Sequence, residues 1–258
     1  VRIAHLSDLH FGAEIPDVVV GLHTRLAQLS PDLVIISGDF TMAARANEFA
    51  DARAFIESLP FPVLSTPGNH DIPAHNLAER FVAPLRRFRR ALGSITRSEH
   101  ATDGVAILSL NSARPWDLSF NWSHGRLSDA QIARADRFFD EHADARFKAL
   151  VVHHPFFVPE ALPGFRTIGN GEAMLQVLAA HRVDAVLSGH LHQQFRTMRR
   201  IEVAAGSHDI TLVQVATATS SRHRDQPNAF ILIETGGGEI ELSAEVWTGE
   251  RFEPRPID

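Results

Sequence analysis

Five times in its first 195 residues the chain runs through a strand-like stretch and breaks off in a short polar cluster. The clusters read SDLH at 7–10, GD at 38–39, GNHD at 68–71, HHP at 153–155 and GHLH at 189–192. Side chains of this kind are costly to bury without partners. A turn or a helix cap explains any one cluster, but five in succession at strand ends call for a fold that gathers those ends around one polar site.

The stretches between the clusters supply such a fold. Residues 2–7 form a first strand, and after Pro16-Asp17 the apolar residues Val18, Leu22, Leu26 and Leu29 recur at helical spacing. The unbroken run LVII before Gly38-Asp39 is that of a strand covered on both faces. Phe49, Ala52, Ile56 and Leu59 mark a second helix, 77–92 a basic one, Ser128 and Gln131 a capping box, and 172–182 a last helix. Further strands end at Asn69, Asn111, His153 and His190. Beyond about residue 196 only strand patterns remain, at 211–219, 229–235 and 239–247, with Gly236 to Gly238 as the turn between the last two. The pattern is α/β with a β-rich C-terminal tail, expected as one domain over residues 1–258.

In open α/β sheets, ligands bind beyond the carboxyl ends of the strands. That rule brings together Asp8, His10, Asp39, Asn69, His70, His153, His190 and His192, a donor set for two metal ions. In extended backbone, residues i and i+2 share a face, so Asp8/His10 and His190/His192 are each expected to face one pocket. The chain has no cysteine, so nitrogen and oxygen must hold any metal. A net charge of −6 argues against a stable nucleic-acid complex. No apolar run approaches the roughly 20 residues of a membrane span, and the expected location is cytoplasmic.

In this order, SDLH, GD, GNHD, HHP and GHLH resemble the calcineurin-like metallophosphoesterase family, over about residues 1–195, and within it the bacterial branch related to cyclic nucleotide phosphodiesterases. The resemblance implies two packed mixed β-sheets flanked by helices, with the C-terminal strands, about 198–250, completing the second sheet. It implies that Asp8, His10 and His192 hold one divalent ion (Mn, Fe, Zn or Co) and Asn69, His153 and His190 the other, with Asp39 bridging. His153 is chosen over His154 because the family's ligand lies two residues before the proline. His70 is expected to act on the substrate, as general acid or phosphate contact, with Asp71 orienting it. The implied reaction is hydrolysis of a small-molecule phosphodiester by hydroxide between two ions, with cyclic AMP-like nucleotides the leading substrates. The competing readings are a broad phosphomonoesterase, a nucleotide-sugar pyrophosphohydrolase, or a metal- and nucleotide-binding module without turnover. Two relatives of the branch are set aside. Met42 stands where purple acid phosphatases carry a tyrosine ligand, and the second motif continues as GDFTMAARA where protein Ser/Thr phosphatases run on into Asp-Arg-Gly.

Substrate contacts are expected from Asn111, Arg114 and His154. The aromatics Trp116, Phe120, Trp122, Phe156, Phe157 and Phe165 are either base-stacking surfaces or packing for loops or a homo-oligomer contact. Arg86, Arg87, Arg89 and Arg90 are a solvated helix face or a cationic rim that meets anionic substrate or lipid.

Overall fold

The computed structural model describes residues 1–102, 104–116, 121–236 and 239–257. Its first sheet contains β1 (Arg2–Leu6), β2 (Leu33–Ile36), β3 (Val63–Ser65), β10 (Ala229–Gly236), β11 (Glu239–Trp247) and β12 (Phe252–Arg255). The second contains β4 (Glu99–Thr102), β5 (Val105–Ser109), β6 (Phe147–Val151), β7 (Ala185–Ser188), β8 (Phe195–Val203) and β9 (Gly206–Gln214). Strand order is β12-β11-β10-β1-β2-β3 in one and β4-β5-β6-β7-β9-β8 in the other. Helices α1 (Pro16–Leu29), α2 (Ala46–Ser58), α3 (Leu77–Val82), α4 (Arg86–Leu92), α5 (Asp129–Glu141) and α6 (Gly171–Ala180) complete the chain.

Side-chain alternation makes these into layers. On β1 and β2, Ile3, Leu33 and Ile35 point between the sheets, where they meet Ile107, Ala149, Val151, Leu187 and Val213 of the second sheet. Ala4, Leu6, Val34 and Ile36 point the other way, onto Val18, Leu22 and Leu26 of α1 and Phe49 and Ile56 of α2. On the far side, Ala106, Leu108 and Leu150 pack beneath α5 and α6. The result is the expected α/β fold, two packed mixed sheets flanked by helices.

Two expectations are corrected, and three strands are new. The tail does not all join the second sheet: β8 and β9 do, but β10 pairs antiparallel with β1 and carries β11 and β12 at the edge of the first sheet. The 77–92 segment is two helices, because Pro84 has no N–H to donate and holds Ala83 out of the helical region at φ −148° and ψ 63°. Strands β4, β8 and β12 have no apolar run to betray them. β8 alternates exposed Arg196, Met198, Arg200 and Glu202 with more covered residues, and β12 carries Pro254 at a sheet edge.

β1, β2 and β3 run parallel, as do β5, β6, β7 and β9. Their carboxyl ends therefore bring loops from both sheets together.

Candidate metal centre

The loops after β1, β2, β3, β6 and β7 meet at this end. Their backbone is not extended. Asp8, His10, Asp39, His190 and His192 all lie in the left-handed region, at φ +54°, +48°, +52°, +79° and +54°, a conformation that costs non-glycine residues about 1–3 kcal/mol each. Asp8/His10 and His190/His192 thus converge by a different route from the i, i+2 geometry of a strand: the polar residues turn inward while the intervening Leu9 and Leu191 are fully buried.

Hydrogen bonds hold the strained loops. Asp8 N–H donates to Gly38 O (3.0 Å) and His10 N–H to Asp39 O (2.9 Å). Thr217 Oγ1 donates to Asp8 O (2.6 Å) and Thr219 Oγ1 to Leu9 O (2.7 Å). Two glycines let the loops approach. At Gly38, with φ +107°, a Cβ would sit 2.6 Å from His153 Nδ1. At Gly189 it would overlap Ser7 Oγ and lie 2.5 Å from Asp8 Oδ2.

Each aspartate has one oxygen pinned and one turned inward. Asp8 Oδ2 accepts from His190 N–H (2.9 Å), and Asp39 Oδ1 from His70 N–H (2.8 Å). Asp8 Oδ1 is buried and receives no well-directed hydrogen bond, although His192 Nε2 is 3.1 Å away. Asp39 Oδ2 lies between His153 Nε2 (3.3 Å) and His10 Nε2 (3.7 Å). His153 Nε2 is also 3.2 Å from Asn69 Oδ1 and 3.3 Å from His190 Nδ1.

The histidines are held by backbone carbonyls, which can only accept. Nδ1–H of His153 donates to Ser37 O (2.8 Å) and Nδ1–H of His192 to Arg222 O (2.6 Å). Nε2 of each ring therefore faces the cluster and meets either a proton or a metal, the arrangement typical of metal-binding imidazoles. Without metal, protons take that place. Burial pulls His153 down, but Asp39 opposes it and the ring is pushed up to about 9. His192 is likewise raised by Asp8 against its burial. Burial and the neighbouring His153 push His190 down to about 3. Asp8 and Asp39 stay low despite burial, held by His192 and His153 respectively.

Asp8, His10, Asp39 and His192 each offer a donor atom within 4.8 Å of the others, and so do His153, His154 and His190. With Asn69 beside His153, this all-nitrogen-and-oxygen set and its underbonded Asp8 oxygen suit two divalent ions.

Other expected residues sit differently. His70 packs edge-on against His10 with ring centroids 4.8 Å apart. Asp71 does not orient it. The Asp71 carboxylate is fully buried and accepts from Phe40 N–H (3.2 Å), Thr41 N–H (3.0 Å), Thr41 Oγ1 (2.9 Å) and Gly68 N–H (2.9 Å), tying together the loops after β2 and β3. His154 is not at the substrate surface: it is buried against His190, with Nδ1 2.8 Å from Ser112 Oγ. Asn111 Oδ1 accepts from Ala113 N–H and Arg114 Nε donates to Arg126 O, so both side chains are engaged in loop structure. Phe120 and the turn at Gly237 and Gly238 lie outside the described residues. Phe156 is core, whereas Trp116 is exposed. Of the basic residues on α4, Arg86 and Arg87 are paired with Glu79.

The loop after β9 is the contribution the sequence reading missed. Arg222 Nη1 donates to His70 Nε2 (3.1 Å), and the guanidinium of Arg224 lies 4.3 Å over the ring of Phe165. The available signal was the carboxyl-end rule itself, once β9 is known to run parallel to β7. Arg80 is a second omission. It is buried, donates to Pro115 O, Ile72 O and Pro73 O, and stacks 4.0 Å over Trp122.

Residues 1–194 match the family described as calcineurin-like phosphoesterase. A probable cyclic nucleotide phosphodiesterase of Synechococcus sp. is 30% identical over 207 residues, 76% of this chain and 74% of the relative. A glycerophosphodiester phosphodiesterase of Enterobacter lignolyticus is 29% identical over 238 residues, 84% and 74% of the two chains. A dimetal phosphatase from Danio rerio superposes with a TM-score of 0.63 at 13% identity, covering 100% of this chain and 99% of the other, a likeness of fold alone. Among the described residues no helix is long and apolar enough to cross a membrane. With the family matched across three quarters of its length and an ordered Asp/Asn/His cluster at the sheet ends, the chain belongs to the calcineurin-like phosphoesterase family and is a metal-dependent phosphoric ester hydrolase.

Proposed function

We propose that this chain is a cytoplasmic dinuclear phosphodiesterase whose leading substrates are cyclic nucleotides. Asp8, His10 and His192 hold one divalent ion, Asn69, His153 and His190 the other, and Asp39 stands between them. Mn, Fe, Zn and Co all suit the donor set. When bound, the ions supply an activated water nucleophile and neutralise charge that develops on the phosphoryl group.

The protein's part is to hold donors and shape the approach. Ser37 O and Arg222 O fix the rings of His153 and His192, and the backbone N–H groups of His70 and His190 fix the two carboxylates. The observation that carries the diester reading is the cavity beside His70, about 570 Å³, whose wall includes Met42, Ile72, Arg80 and Trp122. That volume is within the range of small-ligand sites. A phosphodiester has an organic group on each side of phosphorus, and this partly apolar wall offers a place for one of them, with Trp122 as a base-stacking surface. The similarity to a probable cyclic nucleotide phosphodiesterase supports the same substrate class.

The test is steady-state turnover, with manganese, of 3′,5′-cyclic AMP, a glycerophosphodiester, bis(p-nitrophenyl) phosphate and p-nitrophenyl phosphate, with Asp39→Ala as control. The proposal expects turnover of cyclic AMP, diesters faster than the monoester, and loss of activity in Asp39→Ala. A preference for the glycerophosphodiester would replace the nucleotide assignment, and a preference for the monoester would refute the diesterase reading.

A further inference from the structure

We infer that Arg222 is a phosphate-binding residue of this site and that His70 positions it. The inference rests on the proposed two-metal reaction and alters the role expected of His70. Met42 O can only accept and lies 2.7 Å from His70 Nδ1. Arg222 Nη1 can only donate and lies 3.1 Å from His70 Nε2. Both ring nitrogens are thereby engaged: Nδ1 carries the proton, and Nε2 has none to give to a leaving oxygen. Arg222, with its remaining N–H groups, is the donor at this edge of the site.

Arg222 is fixed at three points. Its N–H donates to Ser220 Oγ (3.0 Å), its carbonyl accepts from His192 Nδ1 (2.6 Å), and its guanidinium meets His70 and Met42 Sδ (3.4 Å). His70 and Met42 line the cavity proposed for the substrate, and His70 packs edge-on against His10. The guanidinium is therefore held against a ring that packs on the metal donor His10 and lines the cavity. A planar fork of N–H donors suits a non-bridging phosphoryl oxygen, where it would stabilise charge that grows in the transition state.

The test is Arg222→Ala, Arg222→Lys, His70→Ala and Arg222→Ala/His70→Ala in the manganese-loaded enzyme, measured for kcat, KM and bound metal, with and without added guanidinium. Arg222→Ala should lower kcat/KM by about 10²- to 10³-fold, the usual loss for one preorganised donor. Metal content should be unchanged, since the carbonyl that holds His192 is retained. Guanidinium should restore part of the activity, and Arg222→Lys should be intermediate. The double variant should be no worse than Arg222→Ala alone, because the two residues act as one unit. Wild-type kcat/KM in Arg222→Ala would overturn the inference, as would activity lost in proportion to metal. All variants are read on whichever ester the wild type hydrolyses best. If that is a monoester, the substrate proposal fails, while the same drop and guanidinium rescue still support Arg222.

Discussion

Asp71 is the residue whose expected role changed most, and Asp71→Asn tests the new one. Four donors converge on its carboxylate: Thr41 N–H and Thr41 Oγ1 on Oδ1, Phe40 N–H and Gly68 N–H on Oδ2. An asparagine of the same shape keeps one acceptor oxygen and turns an NH2 group toward the other pair. With the NH2 turned toward Thr41, whose hydroxyl can rotate to accept from it, only Thr41 N–H lacks an acceptor, at about 1–3 kcal/mol. Part of that loss depends on pH. Burial, and then the nearby Asp39 carboxylate, push Asp71 up to about 7 from an ordinary 3.8. A raised carboxyl pKa adds stability that is fully present below the unfolded value and is lost as pH rises through the folded one. At 1.36 kcal/mol per unit, this spans roughly 4 kcal/mol between pH 3.8 and 7. Urea unfolding of the metal-free protein between pH 5 and 8 should show wild type losing stability relative to Asp71→Asn as pH rises, so that the deficit of the variant is widest at pH 5. A variant within about 1 kcal/mol of wild type throughout, or a gap that widens as pH rises, would refute the bracing role.

Two further outcomes follow from the close packing and the proton load of the site. Gly189→Ala would drive a methyl group into Ser7 and Asp8 Oδ2; overpacking of this kind costs about 1–3 kcal/mol, and elemental analysis should find metal lost from the Asp8 site. Metal uptake should release protons below about pH 9, because the ion displaces the proton that Asp39 holds on His153. Apparent affinity should therefore rise with pH, and manganese titration calorimetry in buffers of different ionisation enthalpy should detect the released protons. A pH-independent affinity would contradict the assignment of His153.

The order of strands and helices was legible because β1, β2, β5, β6 and β7 are buried on both faces and appear as apolar runs. β8 and β12 were not, since an exposed edge strand needs no apolar run and shows only weak alternation. The placement of β10 beside β1 is a long-range pairing that no local pattern encodes. At the site, the carboxyl-end rule gathered the polar residues correctly from their positions in sequence. It could not foresee that five of them adopt left-handed backbone, because that conformation is held by partners far along the chain, Thr217 and Thr219 among them. The Asp71 role was misread for the same reason: adjacency to His70 in sequence suggested a contact, whereas the side chain reaches back to residues 40 and 41. Arg222 escaped notice because its loop follows a strand whose parallel direction shows only in the folded sheet.

In the proposed site seven residues hold two ions, with Asp39 between them. Inductively coupled plasma mass spectrometry of the purified, manganese-reconstituted protein tests it most directly, on wild type and on Asp39→Ala, His192→Ala and His153→Ala. The two-ion assignment predicts two metals per chain in the wild type, loss at one site for His192→Ala or His153→Ala, and weakening of both sites for Asp39→Ala. One metal or none in the wild type, or two retained in Asp39→Ala, would contradict it.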